Sequence, residues 1–238
     1  MKWLMIASAA LYFVSFRRLI FVAALLLELC YLGSRGLSLG RLPLIGPGDT
    51  LAFFSCSIGL MSLPFINSAE LAGKRGFFWS CGALSGIFAL ISLRFPTLNM
   101  PLPPILDTYW FELHVALAFF AYALFAVAAL LGGAFLARGE RAFLDLQYRA
   151  ALVGYSFFSL SMVSGGIWGY YAWGTYWLWT PKELWTSILW LFYSLYLHLR
   201  VKGQGWDRAF AWLGICGFLV TLFTYLGVSM LMRSSHSF

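Results

Sequence analysis

Charge is the scarcest thing in this chain. Only 11% of its 238 residues are Asp, Glu, Lys or Arg, while 61% are apolar; a soluble domain carries roughly 25% charged residues. Long uncharged apolar stretches recur along the whole length, which excludes an ordinary soluble domain and marks an integral membrane protein. Cysteine is also sparse. Cys30, Cys56, Cys81 and Cys216 lie inside apolar segments, form no Cys-x-x-Cys pair, and read as small buried hydrophobes. Zinc-ligand spacing, a phosphate-binding loop, a Ser-His-Asp arrangement and a paired-carboxylate site are all missing, so nothing argues for soluble hydrolytic chemistry and no catalytic residue is nominated. The net charge of +7 does not point to nucleic acid. The basic residues sit in short loops between apolar segments, which is the topology signal of membrane proteins.

Eight apolar segments are present, at roughly 3–16, 19–33, 51–66, 77–93, 110–136, 150–167, 184–200 and 210–231. They predict an all-α polytopic membrane bundle of about eight transmembrane helices, organised as a single domain over residues 1–238. The breaks are polar or carry helix breakers: Gly46-Pro47-Gly48 in the second, Lys74-Arg75 in the third, Pro96, Pro101, Pro103 and Pro104 in the fourth. The first segment is short for a span, and its basic pair Arg17-Arg18 follows it. That order favours a retained helix with its N-terminus outside over a cleaved signal peptide. One set of loops holds ten Lys and Arg residues and the opposite set holds six. The richer side is expected to be cytoplasmic, which puts both termini on the external side.

What the chain has in excess is tryptophan. Five of its eleven tryptophans fall between Trp168 and Trp185, in the run Trp-Gly-Tyr-Tyr-Ala-Trp-Gly-Thr-Tyr-Trp-Leu-Trp-Thr-Pro-Lys-Glu-Leu-Trp. Such a platform suits a large, flat, apolar partner. There are only three histidines, and the count of crossings orders them. His114 opens the fifth segment, the tryptophan run lies two crossings later, and His236 lies four crossings later, so all three share one face; His198 closes the seventh segment near the opposite face. Two histidines beside an aromatic surface can supply both axial ligands of a haem iron through neutral imidazole nitrogens. Trp168, Trp173, Trp177 and Trp179 would then stack on the macrocycle or line its pocket. Trp173 and Trp177, four apart, would share a helical face. Lys182 and Arg233 are the cations placed to pair with propionates. Taken singly, each feature has a plainer reading: an interfacial histidine, a bilayer-anchoring tryptophan belt, a Lys182-Glu183 pair compensating a helix dipole. The haem reading rests on their coherent placement.

These residues carry a family resemblance. Trp173 to Glu183 resembles the WGxxWxWDxKE signature of the cytochrome c assembly proteins. Leu195 to Arg200 resembles the Tyr-Leu-His-x-Arg run closing that family's next helix, Trp110 to Tyr122 its first external histidine helix, and Ser235 to Phe238 its His-Ser-Tyr ending. Arg41 to Leu51 is a weaker match to an early segment. The likeness spans the chain and is nearest the CcsA (ResC) branch. It implies a subunit that, with a CcsB (ResB) membrane partner, carries haem b outward and presents it at the external tryptophan-rich segment, 168–183, for thioether attachment to apocytochromes bearing Cys-x-x-Cys-His. His114 and His236 would ligate the external haem iron and His198 a haem within the membrane, where the partner would supply the second histidine. The protein would then be a possible subunit of a holocytochrome c synthase (haem lyase) in a bacterial inner or thylakoid-like membrane. Two departures matter. Thr180 stands where the signature has Asp, removing a carboxylate from the platform, and Gly46 to Thr50 replaces an expected Glu-Ser. Both fit a divergent CcsA-like protein, and both also fit a HemX-type accessory of haem synthesis.

Other polar residues offer less. Glu28, inside the second segment, should face the bundle, because a carboxylate at bilayer depth costs a few kcal/mol; a structural hydrogen bond outweighs a role in a haem or proton path. Glu112 is two residues from His114 and off its helical face, while Tyr122 shares that face and reads chiefly as core. A non-haem small-molecule transporter would need a polar path that Glu28 alone hardly provides.

Overall fold

A computed structural model describes residues 2–97, 99, 102–201 and 205–232; among these there are helices and turns but no strand. The chain divides into two compact units, Met1–Pro101 and Leu102–Phe238.

The N-terminal unit holds α1 (Lys2–Phe13), α2 (Arg18–Leu39), α3 (Pro47–Ile66) and α4 (Arg75–Ser92). Pro47 begins α3 at a position where its missing N–H costs nothing. Pro64 sits in the last turn, just before the helix stops at Ile66. α1 packs against α2 and α4, and α3 against α4, around Tyr12, Phe21, Phe54 and Phe88. Glu28 is fully buried here and accepts a 3.0 Å hydrogen bond from the Tyr12 hydroxyl.

The C-terminal unit holds α5 (Tyr109–Arg138), α6 (Arg141–Trp173), α7 (Pro181–Val201) and α8 (Asp207–Leu222), the last continuing through a π-helical turn (Phe223–Gly227) into α9 (Val228–Leu231). Thr108 caps α5 by accepting the Phe111 N–H at 3.2 Å, and Gly139, in the left-handed region, ends it. α5 and α6 form the central antiparallel pair, with α8 packed on α5 and α7 laid across α6 and α8.

Six helical stretches are long and apolar enough to cross a membrane: α2, α3, α4, α5, α6 and the continuous run Asp207–Leu231. The chain is an integral membrane protein. Two of the eight expected spans fall short for different reasons. α1 has 12 residues, about 18 Å of helix against a hydrocarbon core of about 30 Å. α7 has the length, at 21 residues, but Lys182, Glu183, Thr186, Ser187, Ser194, His198 and Arg200 dilute its apolar content. α6 runs longer than its apolar segment at both ends. It starts in the charged link after Gly139 and carries on through Trp168 to Trp173.

Candidate functional site

His114 lies one turn into α5, where the capped helix start meets the C-terminal part of α6. Its imidazole Nδ1 is 2.8 Å from the carbonyl oxygen of Ser161 on α6. The carbonyl can only accept, so Nδ1 carries the proton and Nε2 keeps its lone pair. Ser161 answers in the other direction: its hydroxyl donates to the His114 carbonyl at 2.8 Å. Gly165 makes the approach possible. A β-carbon there would stand 2.5 Å from the imidazole Nδ1, inside any tolerable contact. Neither Ser161 nor Gly165 was singled out in the sequence, although the small-residue spacing Ser161-x-x-x-Gly165 is a signal of close helix approach in membranes.

Behind the imidazole stands Trp168. The two rings are nearly parallel, 14° apart with centroids 6.3 Å from each other. Trp168 is almost wholly buried, its indole N–H donates to the Ile105 carbonyl at 2.8 Å, and Phe111 tilts against it at 5.3 Å. Trp173 meets Trp168 edge-on at 4.8 Å. Trp168 therefore braces His114 from within the unit.

The rest of the tryptophan run leaves the helix. Gly174 takes φ 74° and caps α6, its N–H bonding to the Tyr170 carbonyl at 2.9 Å; α7 begins only at Pro181. Trp173 and Trp177 accordingly do not share a helical face. A left-handed glycine ends the helix between them, and Trp177 lies in the connecting loop. The loop folds back, stacking Tyr176 on Tyr170 at 4.8 Å and setting Trp177 edge-on to Trp179 at 6.5 Å. Trp179 has φ 56°, a conformation that bulky residues rarely adopt, and is 69% exposed. One side chain pins the backbone on both sides of it. The Glu183 Oε2 accepts the Leu178 N–H at 3.0 Å, the Thr180 N–H at 2.9 Å and the Thr180 hydroxyl at 3.2 Å. The Glu183 N–H in turn points at the Thr180 hydroxyl at 3.4 Å. This is a Thr-x-x-Glu capping box opening α7. Aspartate and threonine are both good N-cap residues, so Thr180 fills the structural place of the signature's Asp.

At the same end, the Lys182 ammonium donates to the Ser229 hydroxyl on α9 at 2.8 Å, and Trp185 packs on Phe223 at 4.5 Å. The expected partners His236 and Arg233 lie outside the described residues. His198 is in the last turn of α7, ~24 Å along that helix from Lys182 at 1.5 Å per residue. It is exposed, with Nδ1 2.7 Å from the carbonyl of Ser194 on its own helix. Among the described residues no three of His, Cys, Asp and Glu come together as a metal cluster. Of the four cysteines, none is paired.

Fold and site together define an all-helical integral membrane protein with a clamped, aromatic-backed imidazole at one end of its C-terminal unit. The chain belongs to the family described as "Cytochrome C assembly protein", whose model matches residues 49–236. It is similar to the cytochrome c biogenesis protein CcsA of Chlamydomonas reinhardtii, with 31% identity over 217 residues, 84% of this chain and 61% of that one. To CcsA of Prochlorococcus marinus (strain AS9601) it is 49% identical over 94 residues, 39% of this chain and 30% of that protein. The CcsA of Guillardia theta matches at 26% over 247 residues, covering 87% of this chain and 80% of that one. The chain thus spans less than two thirds of the first two relatives. Among solved structures, the cytochrome c haem lyase CcmF shares the fold, with a TM-score of 0.64 and 16% identity over 94% of this chain and 45% of that one.

Proposed function

We propose that this chain is a CcsA-like, haem-handling subunit of cytochrome c maturation that presents haem b at the α5–α6–α7 end. The observation that carries the reading is the state of His114. Its Nδ1–H is held by the Ser161 carbonyl, which fixes the tautomer and leaves Nε2 as a ligand for iron. An outer hydrogen bond of this kind is the usual companion of a metal-binding histidine. The residues present fit the group: a neutral imidazole, a broad aromatic surface and a cation.

In this reading His114 and His236 ligate the external haem iron. Trp173, Trp177 and Trp179 offer it flat apolar surface, with Trp168 supporting His114 from behind, and Lys182 pairs with a propionate. Haem bound here would supply the vinyl groups that become thioethers on an apocytochrome Cys-x-x-Cys-His motif. The chain's own part is to bind, orient and expose it. His198, turned outward from α7, serves a membrane haem whose other ligand comes from a CcsB-like subunit.

The first test is the absorption spectrum of the detergent-purified protein beside His114→Ala and His236→Ala. A low-spin haem band lost or made exchangeable in both variants is expected. A band that survives both changes would move the haem to His198. A band absent from every preparation, partner included, would overturn the proposal. Co-expression with a CcsB-like subunit and an apocytochrome then separates synthase from accessory, since only a synthase yields thioether-linked product.

A further inference from the structure

In the N-terminal unit three hydroxyl side chains gather around a carboxyl that the haem reading does not use. Glu28 stands near the middle of α2 and is fully buried. Tyr12 of α1 donates its hydroxyl to Glu28 Oε2 at 3.0 Å. Ser55 of α3 lies close enough to the same carboxyl to interact with it, and donates its own hydroxyl to the Ser85 carbonyl of α4 at 2.8 Å. The Ser85 hydroxyl lies beside the Tyr12 phenol. Gly59, one turn beyond Ser55, lets α3 reach that phenol: a β-carbon there would stand 2.5 Å from the Tyr12 hydroxyl oxygen. Each of the four helices of the unit thus brings an oxygen to one spot.

Two of these oxygens are unpartnered. Glu28 Oε1 and Ser85 Oγ are buried and make no hydrogen bond. A buried carboxylate is costly unless a cation or a proton closes it. Among the described residues no Lys or Arg pairs with Glu28. Arg35, two turns further along α2, is engaged by Asp49 and Asn99.

The donors narrow the ligand. A carboxylate and three hydroxyls are hard oxygen donors, suited to hard cations and poorly suited to soft transition metals. The Tyr12 and Ser55 hydroxyls spend their protons on Glu28 and Ser85 and keep lone pairs to offer. Glu28 is the one formal charge, so a monovalent ion balances it, whereas a divalent ion would leave positive charge in an apolar core. Tyr12, Glu28, Ser55 and Ser85 are each 0% exposed, which favours a small dehydrated ion over an organic ammonium. An ionisable residue at bilayer depth commonly marks an ion site or path.

We infer that the N-terminal unit binds a small monovalent cation, of the size of sodium, at Glu28 Oε1, with the Ser85, Ser55 and Tyr12 hydroxyls as further ligands. The site belongs to the unit that does not contain His114, and it does not rest on the haem reading. The test uses the full chain in neutral detergent and alkaline buffer, which favours the carboxylate. Sodium chloride is titrated in against choline chloride at constant ionic strength, and thermal stability is followed.

Sodium should raise the midpoint saturably, since a ligand that binds only the folded state stabilises it. Glu28→Gln keeps the size and removes the charge, and its midpoint should not respond to sodium. Ser85→Ala, which takes one oxygen from the shell, should raise the half-saturating sodium concentration about tenfold, as for losing one contact to a charged partner. A midpoint equally high in choline and in sodium would overturn the inference and leave Glu28 a carboxyl closed by a proton. So would a sodium response that Glu28→Gln leaves unchanged. If that variant does not fold, an unchanged response in Ser85→Ala overturns the inference in the same way.

Discussion

In the N-terminal unit Arg35 and Asp49 meet through two parallel 3.1 Å hydrogen bonds, Nε to Oδ1 and one Nη to Oδ2, with side chains only 7% and 3% exposed, and the other Nη reaches Asn99. In the C-terminal unit His114 commits one ring nitrogen to Ser161 and keeps the other. Both are polar groups set among apolar helices, but the first set closes on itself and the second is left open on one side. A closed set costs desolvation and returns a fixed arrangement of helices. An open one is where a ligand atom can enter. Glu28 stands between the two: its Oε2 accepts from Tyr12, while its buried Oε1 has no hydrogen-bond partner. On the proposed haem reading, the difference separates polar residues that hold the fold from those that would receive a ligand, and it can be tested from both sides.

The largest effect should come from breaking the closed set. Arg35→Met leaves Asp49 as a buried carboxylate without its cation, and losing one partner of a buried pair costs about 3–5 kcal/mol. Unfolding of the purified protein in detergent should show a loss of that order, while any folded fraction keeps the parent haem spectrum. A folded variant with a shifted haem band would mean that the pair acts on the site and that the contrast is wrong.

Next comes the open set. Gly165→Val would put a β-carbon where only 2.5 Å separates it from the imidazole Nδ1, so His114 must swing out and lose the Ser161 carbonyl. Losing an outer hydrogen bond of a metal-binding histidine typically costs 10–100-fold in affinity, and haem retention through dilution or competition should fall by about that much. Gly133→Ala on α5, where a β-carbon meets nothing within 4 Å, is the matched control and should retain haem like the parent.

A smaller loss should follow Glu183→Ala, which strips the Leu178 and Thr180 N–H groups of their shared acceptor. The groups are part-exposed and water replaces some of the bonding, so about 1–2 kcal/mol is expected. The readout that isolates the loop is local: Trp179 should lose its positive-φ conformation, seen as faster proteolysis between Gly174 and Pro181 with the helices intact.

The membrane class and the helix breaks were legible in the sequence because apolar length and Gly or Pro punctuation act locally. His114 stood out in the sequence as a lone imidazole at the start of a strongly apolar helix. Its clamp was not, since Ser161 and Gly165 matter only once α6 lies against α5, and that pairing is a tertiary fact. The helical face drawn through Trp173 and Trp177 failed for a readable reason: Gly174 and Pro181 are a C-terminal cap and an N1 proline, and they mark a loop between them. α7 read as a span because Thr186, Ser187 and Ser194 carry no charge to break its apolar run, though together with the charged residues at its two ends they lower its hydropathy.

Thr180 gives the finest test of the contrast, because it stands where a structural and a ligand-facing role part. If the signature's carboxylate serves only to cap α7, threonine already does that work. Thr180→Asp should then change stability by no more than about 0.5 kcal/mol, Thr180→Ala should lose about 1 kcal/mol, and haem retention should follow stability in both. An aspartate here would also set a second carboxylate beside Glu183, whose Oε2 now takes the Thr180 hydroxyl at 3.2 Å, so any gain in capping is opposed by like charge. A rise in haem retention or in thioether product on Thr180→Asp, without a matching rise in stability, would therefore need a carboxylate that faces the ligand. It would move residue 180 from the closed sets to the open one and make this chain a weakened version of the signature.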